Sequence, residues 1–334
     1  MNLDRRQMLK LAALLAATLA WHRGFAMDAP PRKEGGTEMG KAGDFNLHAL
    51  GGTSNFKAIY ADPALKSEFL LFLTNVFHLF PEDRLHRLIE DAAQAGKTDR
   101  EIYALVQARL PEIKPFLAEL RYALPALSRQ KDEMVAQTVE LLGAPRSLNG
   151  YLEIGSTGRY AGRLKSRLEL KGDLVLLHSV AAGYSPEDIV ERGGIGKVGR
   201  FAPISDYDPV PAAQVGDRSM DLVSMYIGFH HSPLPKLDGF VISLHRVLRP
   251  GGRMIVRDHD VNTPAMNRMV ALAHDVFNMG LGTPWPVDQG ELRHFTSNAE
   301  LVAYLEARGF KADRRRLLQK GDPTKNALMV FSRA

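Results

Sequence analysis

The chain has 334 residues, 45% hydrophobic and 24% charged, a composition that suits one large or two modest globular domains and excludes a disordered chain. Its formal charge of +5 gathers at the N-terminus, where Arg5, Arg6, Lys10 and Arg23 face only Asp4; the remainder is close to neutral and carries no nucleic-acid footprint. The absence of cysteine excludes structural disulfides, zinc–thiolate sites and thiol nucleophiles.

Residues 1–26 read as a signal peptide. Asp4-Arg5-Arg6-Gln7-Met8-Leu9-Lys10 resembles the twin-arginine export motif, with Asp where Ser or Thr is usual and Met in place of Phe. The apolar run over 11–21 is too short to span a bilayer, which takes ~20 apolar residues. Gly24-Phe25-Ala26 offers a small-x-Ala cleavage site. The motif implies the twin-arginine export machinery as a partner, a periplasmic or exported location and no stable membrane span after cleavage. The alternative is a short uncleaved helix or a start at Met27, which leaves the protein cytoplasmic. Residues 27–54, rich in Gly, Pro and charge, read as a flexible linker.

Helical signals dominate 55–147, read as an all-helical domain or lid. Phe69, Leu70, Leu73, Val76, Phe77 and Phe80 form an apolar stripe ending at Pro81. Leu85, Leu88 and Ile89 form another, closed by Gly96. Thr98 and Glu101 fit a capping box opening a third helix with Ile102, Leu105, Val106 and Leu110 on its face. Two more helices are expected over 116–127 and 133–142. Core packing explains the Phe and Leu stripe better than a partner surface does.

From Gly150 short apolar strands alternate with helices, the pattern of a parallel sheet. Strands are expected over 151–154, 174–177, 200–204, 221–227, 253–256, 312–318 and 327–331. Helices are expected over 159–170, 237–248, 265–279 and 298–308. The stretch 220–260 is the most informative. An apolar strand ends on Gly228-Phe229-His230-His231, and a helix stops at Arg249-Pro250-Gly251-Gly252. A second strand then ends on Arg257-Asp258-His259-Asp260. In a parallel sheet both polar tips lie at the carboxyl edge, where such sheets bind ligands.

The Asp221-Leu222-Val223 strand, the His-His tip and the "RVLRPGGRMIVRDHD" ending resemble the second half of a class I S-adenosylmethionine-dependent methyltransferase. The resemblance runs from about Gly150 to the C-terminus, marks 148–334 as a methyltransferase-like domain, and implies an α/β fold: a Rossmann-like, seven-stranded, mostly parallel sheet preceded by the helical domain. It also implies S-adenosyl-L-methionine as cofactor and a small-molecule methyl acceptor as substrate.

By the same resemblance, Glu153-Ile154-Gly155-Ser156-Thr157-Gly158 forms the cofactor loop at the tip of the first strand, so Glu153, Gly155, Ser156, Thr157 and Gly158 are expected to contact the cofactor. Glycine there lets the backbone approach a ligand and take positive φ. The family pattern, acidic-x-Gly-x-Gly-x-Gly, is not fully kept: Thr157 and Arg159 occupy the second and third glycine places. The family also has a ribose-binding carboxylate at the end of the second strand, where this chain has His178 and Ser179. Asp206 matches the acid that contacts adenine, with Tyr207 beside it, and Tyr226 and Gly228 would line the adenine and methionine side.

His230, His231, Asp258, His259 and Asp260 form the candidate catalytic set. Methyl transfer from a sulfonium needs proximity, and a base where the acceptor must lose a proton. A neutral histidine suits that role, so His231 or His259, oriented by Asp258 or Asp260, is the expected base. In the family, a His-His pair at this place also serves as pocket wall or helix start. His plus carboxylate suits Fe(II), Mn or Zn as well, but neither His230-His231 nor Asp258-His259-Asp260 has the i, i+4 spacing of a dedicated site, and no metal is assigned. Arg257 would hold an acidic substrate or pair with Asp260. The leading reading is a methyltransferase. The alternatives are an exported binding protein on that scaffold and a metal-dependent enzyme using the His/Asp cluster.

Overall fold

The computed structural model describes residues 54–115, 122, 124–143, 147–226 and 228–334. The leader, and the linker apart from Ser54, lie outside these residues. Seven strands form one sheet: β1 (Ser147–Ile154), β2 (Glu169–His178), β3 (Arg200–Pro203), β4 (Met220–Met225), β5 (Leu248–His259), β6 (Phe310–Leu318) and β7 (Asn326–Arg333). The described α-helices are α1 (Asn55–Ala61), α2 (Pro63–Phe72), α3 (Glu82–Ala95), α4 (Asp99–Ile113), α5 (Leu124–Leu142), α6 (Ala161–Arg167), α7 (Pro186–Arg192), α8 (Leu234–Val247), α9 (Pro264–Gly280), α10 (Trp285–Gly290) and α11 (Asn298–Glu306). Among the described residues no helix is long and apolar enough to cross a membrane.

The strand order is β3-β2-β1-β4-β5-β7-β6. Strands β1 to β5 run parallel, and β7 lies antiparallel between β5 and β6. The chain builds outward from β1 through β2 and β3, then returns to place β4 on the other flank of β1. That reversal opens a crevice at the carboxyl ends of β1 and β4, the ligand-binding position of open α/β sheets. This is the expected class I methyltransferase architecture.

Alternation along the strands explains why both faces are covered. Leu152, Ile154, Val223, Met225, Met254, Val256, Met329 and Phe331 point to one face and pack under Phe240, Val241 and Leu244 of α8 and Leu301 and Leu305 of α11. Their neighbours Tyr151, Leu222, Ile255, Leu328 and Val330 point to the other, against Met134, Val135, Leu141 and Leu142 of α5 and Ala161 and Leu164 of α6. Each such side chain contributes roughly 1.5–3 kcal/mol on burial, so a one-residue slip of any central strand would forfeit its whole set.

A third core lies over the carboxyl edge. Phe56, Phe69, Phe72, Leu85, Ile89, Ile102 and Val106 of α1 to α4 pack on Met269, Val270, Leu272, Val276 and Met279 of α9. The helical stretch over 55–147 therefore divides: α1 to α4 join α9 as a cap, whereas α5 lies under the sheet. The capping box at Thr98/Glu101 is formed, and a second, Ser297/Glu300, opens α11. The cap is stitched to the rest by Tyr103 Oη donating to Thr283 O (2.7 Å) and Asn75 Nδ2 to Gly321 O (2.8 Å).

Element boundaries differ from expectation in ways that have physical causes. Helix α5 runs unbroken from Leu124 through the interval expected to separate two helices, over 128–132; residues 116–121 and 123 of the first expected helix lie outside the described set. The Pro250-Gly251-Gly252 turn lies within β5. Leu248 already pairs with Met220, the register then shifts, and Arg253 pairs with Leu222, with Gly251 at φ 73°. The strand expected over 221–227 ends at Met225, and Ile227 lies outside the described residues.

Gly150 marks a similar irregularity in β1, where the pairing with β2 shifts between Asn149 and Tyr151. It sits at φ 91°, and a Cβ there would stand 2.2 Å from Ser219 O. Gly150→Ala is therefore expected to lower stability by more than ~1 kcal/mol in denaturant unfolding; an unchanged midpoint would show that the close approach is dispensable.

Candidate active site

The loop after β1 turns on Gly155 (φ 79°) and Gly158 (φ 104°). Its amides are largely spent on the loop itself. Gly155 N–H donates to Leu177 O, while Gly158 N–H (3.1 Å) and Arg159 N–H (3.0 Å) donate to Ser156 Oγ. Glu153 is fully buried beneath it, accepting from Tyr151 Oη (2.9 Å), Tyr160 N–H (3.2 Å) and Ser156 Oγ. Burial raises its carboxyl above the usual range. Glu153 thus braces the loop from inside the sheet. Arg159, in place of a family glycine, forms a buried ion pair with Glu191, and Lys131 donates to Glu191 O (2.5 Å) behind it. Burial holds Lys131 down to about 8.

The other residues expected around the cofactor are dispersed. His178 and Ser179 do stand at the end of β2, with His178 buried and Val180 N–H donating to its Nδ1 (3.2 Å). Asp206 is exposed and paired with Lys236 Nζ (2.8 Å). Tyr207 turns inward against Phe240, centroids 5.2 Å apart. Tyr226 shares a hydrogen bond with Thr138 (2.8 Å) and packs on the Tyr160 ring at 4.2 Å.

The histidines converge. His230 and His231 occupy a single 3-10 turn after β4, and His259 ends β5. Asp258 is the organiser: Oδ1 accepts from His230 Nδ1 (2.6 Å) and His259 N–H (2.7 Å), and Oδ2 accepts from His230 N–H (3.1 Å). Asp258 therefore orients His230, where His231 or His259 was the expected partner. Asp260 turns away to accept from Asn298 N–H (2.9 Å) at the start of α11. His231 Nδ1 donates to Leu292 O (2.9 Å), and His259 Nδ1 to Thr324 O (3.0 Å). Gly228 is required by this packing, because a Cβ there would stand 1.9 Å from His230 Cε1.

His274 of α9 completes the cluster. Its Nε2 lies 3.2 Å from His230 Nε2, and its Nδ1 donates to Val270 O (2.9 Å). In the sequence it is a lone histidine on an apolar helix, with only its place one turn from Val270 and Phe277 to single it out. Asp322, Thr324 and Asn326, which read as a turn, and Arg257 also face the cavity of about 220 Å³ that these rings enclose with Tyr226 and Gly228. Its apolar roof includes Phe72, Val76, Phe77, Leu127 and Phe277. Val76 and Phe77 are presented by a π-turn over Leu73–Phe77, a local widening of the helix that often marks functional positions. The cavity does not reach the Gly155–Gly158 loop, His178 or Asp206.

Three polar atoms on the wall are buried without a hydrogen-bond partner: Arg257 Nε, Asp322 Oδ2 and Asn326 Oδ1. Arg257 keeps one hydrogen bond, Nη2 to Gln319 Oε1 (3.2 Å). Beyond the cluster, Asp275, Asp288 and Glu291 share the guanidinium of Arg293.

No protein-family model matches the chain, and no curated protein matches it. Solved structures resemble it. An O-methyltransferase family 2 protein from Planctomyces limnophilus, in complex with apigenin, is 13% identical over 86% of this chain and 98% of its own, with a TM-score of 0.44. The 1,6-didemethyltoxoflavin-N1-methyltransferase of Burkholderia thailandensis is 18% identical over 63% and 79%, with a TM-score of 0.41. A mitomycin 7-O-methyltransferase is 15% identical over 76% and 68%, with a TM-score of 0.43.

Burial lowers the pKa of His230, His259 and His274, whereas an unfolded chain protonates them near about 6.5. Stability from these neutral rings is complete above about pH 6.5 and is lost as pH falls through that value. Asp275, which burial pushes up to about 7, acts in the opposite sense: its contribution is lost as pH rises through about 7. Six histidines are held down (His86, His178, His230, His245, His259 and His274) against three carboxyls pushed up (Glu153, Asp258 and Asp275), so the melting temperature followed by circular dichroism should fall from about pH 7.5 to about pH 5.5. A rise toward acid would show that the carboxyls govern.

Proposed function

We propose that the protein is an S-adenosylmethionine-dependent methyltransferase acting on a compact small molecule in the cavity beneath the cap. The observation that carries this reading is the meeting of two features at one edge: the glycine-turned loop at the β1/β4 reversal, and a cavity whose wall holds buried polar atoms with no protein partner. Orphaned groups of this kind are costly unless a ligand or ordered water satisfies them. The cofactor would be held where Arg159 and Tyr160, at the end of the glycine-turned loop, meet Tyr226 and Gly228 on the cavity wall, with His178 and Ser179 standing where the family has a carboxylate. When bound, S-adenosylmethionine supplies a methyl group on a sulfonium sulfur.

The chain's own part is to hold the acceptor in line, exclude water and remove a proton. Phe72, Phe77, Leu127 and Phe277 exclude water. Arg257 and Asn326 orient a polar acceptor through their unpaired atoms. His259 serves as base: with Nδ1 donating to Thr324 O, the lone pair is on Nε2, where Asn326 Nδ2 donates to it (3.3 Å), and the acceptor must take that place on the cavity wall. A volume of about 220 Å³, below the ~300–1,000 Å³ of typical ligand sites, favours a compact acceptor.

Titration calorimetry of the purified protein with S-adenosylmethionine is expected to give a dissociation constant of about 1–100 μM, equivalent to roughly 5–8 kcal/mol. Gly155→Val should abolish it without loss of secondary structure, and His259→Ala should leave it within ~3-fold, because the base is not a cofactor contact. No heat at ~1 mM cofactor would sink the reading.

The Arg5-Arg6 leader supports export of the folded protein through the twin-arginine machinery. Arg5→Lys together with Arg6→Lys should move the full chain from the periplasmic to the cytoplasmic fraction. An unchanged distribution would count against export by this route.

A further inference from the structure

One ring nitrogen each of His230, His231 and His274 lies within 4.8 Å of the other two, although the residues come from two separate elements. A neutral imidazole carries its proton on one nitrogen and a lone pair on the other. His230 Nδ1 faces Asp258 Oδ1, and that carboxylate already accepts backbone N–H groups on both oxygens. His274 Nδ1 faces the Val270 carbonyl, which can only accept. With Asp258 ionised, both rings are protonated at Nδ1 and present Nε2 lone pairs to each other at 3.2 Å. Two lone pairs at that distance repel unless something positive lies between them. Two nitrogens bonded at ~2.0–2.1 Å to one tetrahedral ion stand about 3.3 Å apart.

We propose that His230, His231 and His274 bind a divalent first-row transition metal ion, with Asp258 and the Leu292 and Val270 carbonyls as positioning groups. Each ring is anchored through Nδ1 by an acceptor, the outer-shell arrangement that orients metal-binding imidazoles. The His231 nitrogen lies within 4.8 Å of the other two and must move closer to bind the same ion. Imidazole nitrogens suit zinc, iron, cobalt and nickel, and three of them leave a coordination position open. That position faces the cavity, since all three rings line it. The ligand class there is a small molecule that reaches the ion through an oxygen or a nitrogen, or a water molecule in its absence. The site does not depend on the methyltransferase reading, because metal uptake requires no methyl donor. The competing occupant of the gap is a single shared proton.

The test uses untagged full-length protein, stripped with chelator and dialysed against Zn²⁺, Co²⁺ or Ni²⁺, with metal content measured after removal of the free ion. The expected result is about one equivalent bound, a Co²⁺ form with visible d–d absorption, and a higher melting temperature in the presence of metal. His274→Ala and His231→Ala, shown by circular dichroism to be folded, should each lose uptake, whereas His245→Ala, outside the cluster, should keep it. Should either cluster variant fail to fold, the Co²⁺ spectrum of the wild type still decides, because nitrogen coordination gives bands that hexaaqua Co²⁺ lacks. Uptake below ~0.1 equivalent by the wild type would overturn the proposal and leave the shared proton. Undiminished uptake by both folded variants would overturn it equally.

Discussion

The mouth of the sheet is organised by one buried carboxylate. Asp258, at the end of β5, accepts from the backbone and the ring of His230 and from the backbone of His259. The two from His230 fasten the turn after β4 to the tip of β5, and the third sets the tip itself. Taking a carboxyl group out of water is unfavourable, and burial accordingly pushes Asp258 toward its neutral form while three donors hold it as an acceptor. Removing the carboxylate would leave two buried N–H groups and a ring nitrogen unsatisfied at once, a loss far larger than that of a single surface hydrogen bond. The cluster is therefore ordered because Asp258 has no cheaper way to be buried.

The second constraint is α9. It follows β5 directly, so connection length alone keeps it over the carboxyl edge, and the apolar residues on its flanks require a partner there. Helices α1 to α4 provide that partner, which is why the N-terminal helices form a roof over the crevice. One helix thereby contributes both His274 to the polar floor and Phe277 to the apolar wall. A displacement of the cap that carried α9 with it would change the ring cluster and the cavity together.

Much of the fold was legible because its signals are local. The alternation of buried residues in β1, β4, β5 and β7, the capping box at Thr98/Glu101 and the helical periodicity of α3, α8 and α9 each need only a short window of sequence. The glycine turn at Gly155 and the polar tips at His230-His231 and Asp258-His259 were placed at the carboxyl edge by the same reasoning. The division of the helical stretch between cap and sheet was not legible, since the stripes on α4 and α5 look alike and nothing local names the surface each one meets. Asp206, expected to contact adenine, is paired at the surface with Lys236 of α8, a contact between a loop and a helix that no spacing rule records.

The sequence by itself determined a parallel α/β sheet with a glycine-turned first loop, two histidine-bearing tips and a helical preface, because period, caps and turn residues are properties of neighbouring positions. Tertiary structure alone decided which histidine Asp258 orients, that His274 joins the ring cluster, and that Arg159 closes its loop against Glu191. These are long-range contacts, separated by 28, 44 and 32 positions respectively. Contacts at such separation arise when strand order and helix packing bring distant segments together, so they have no local signature to read.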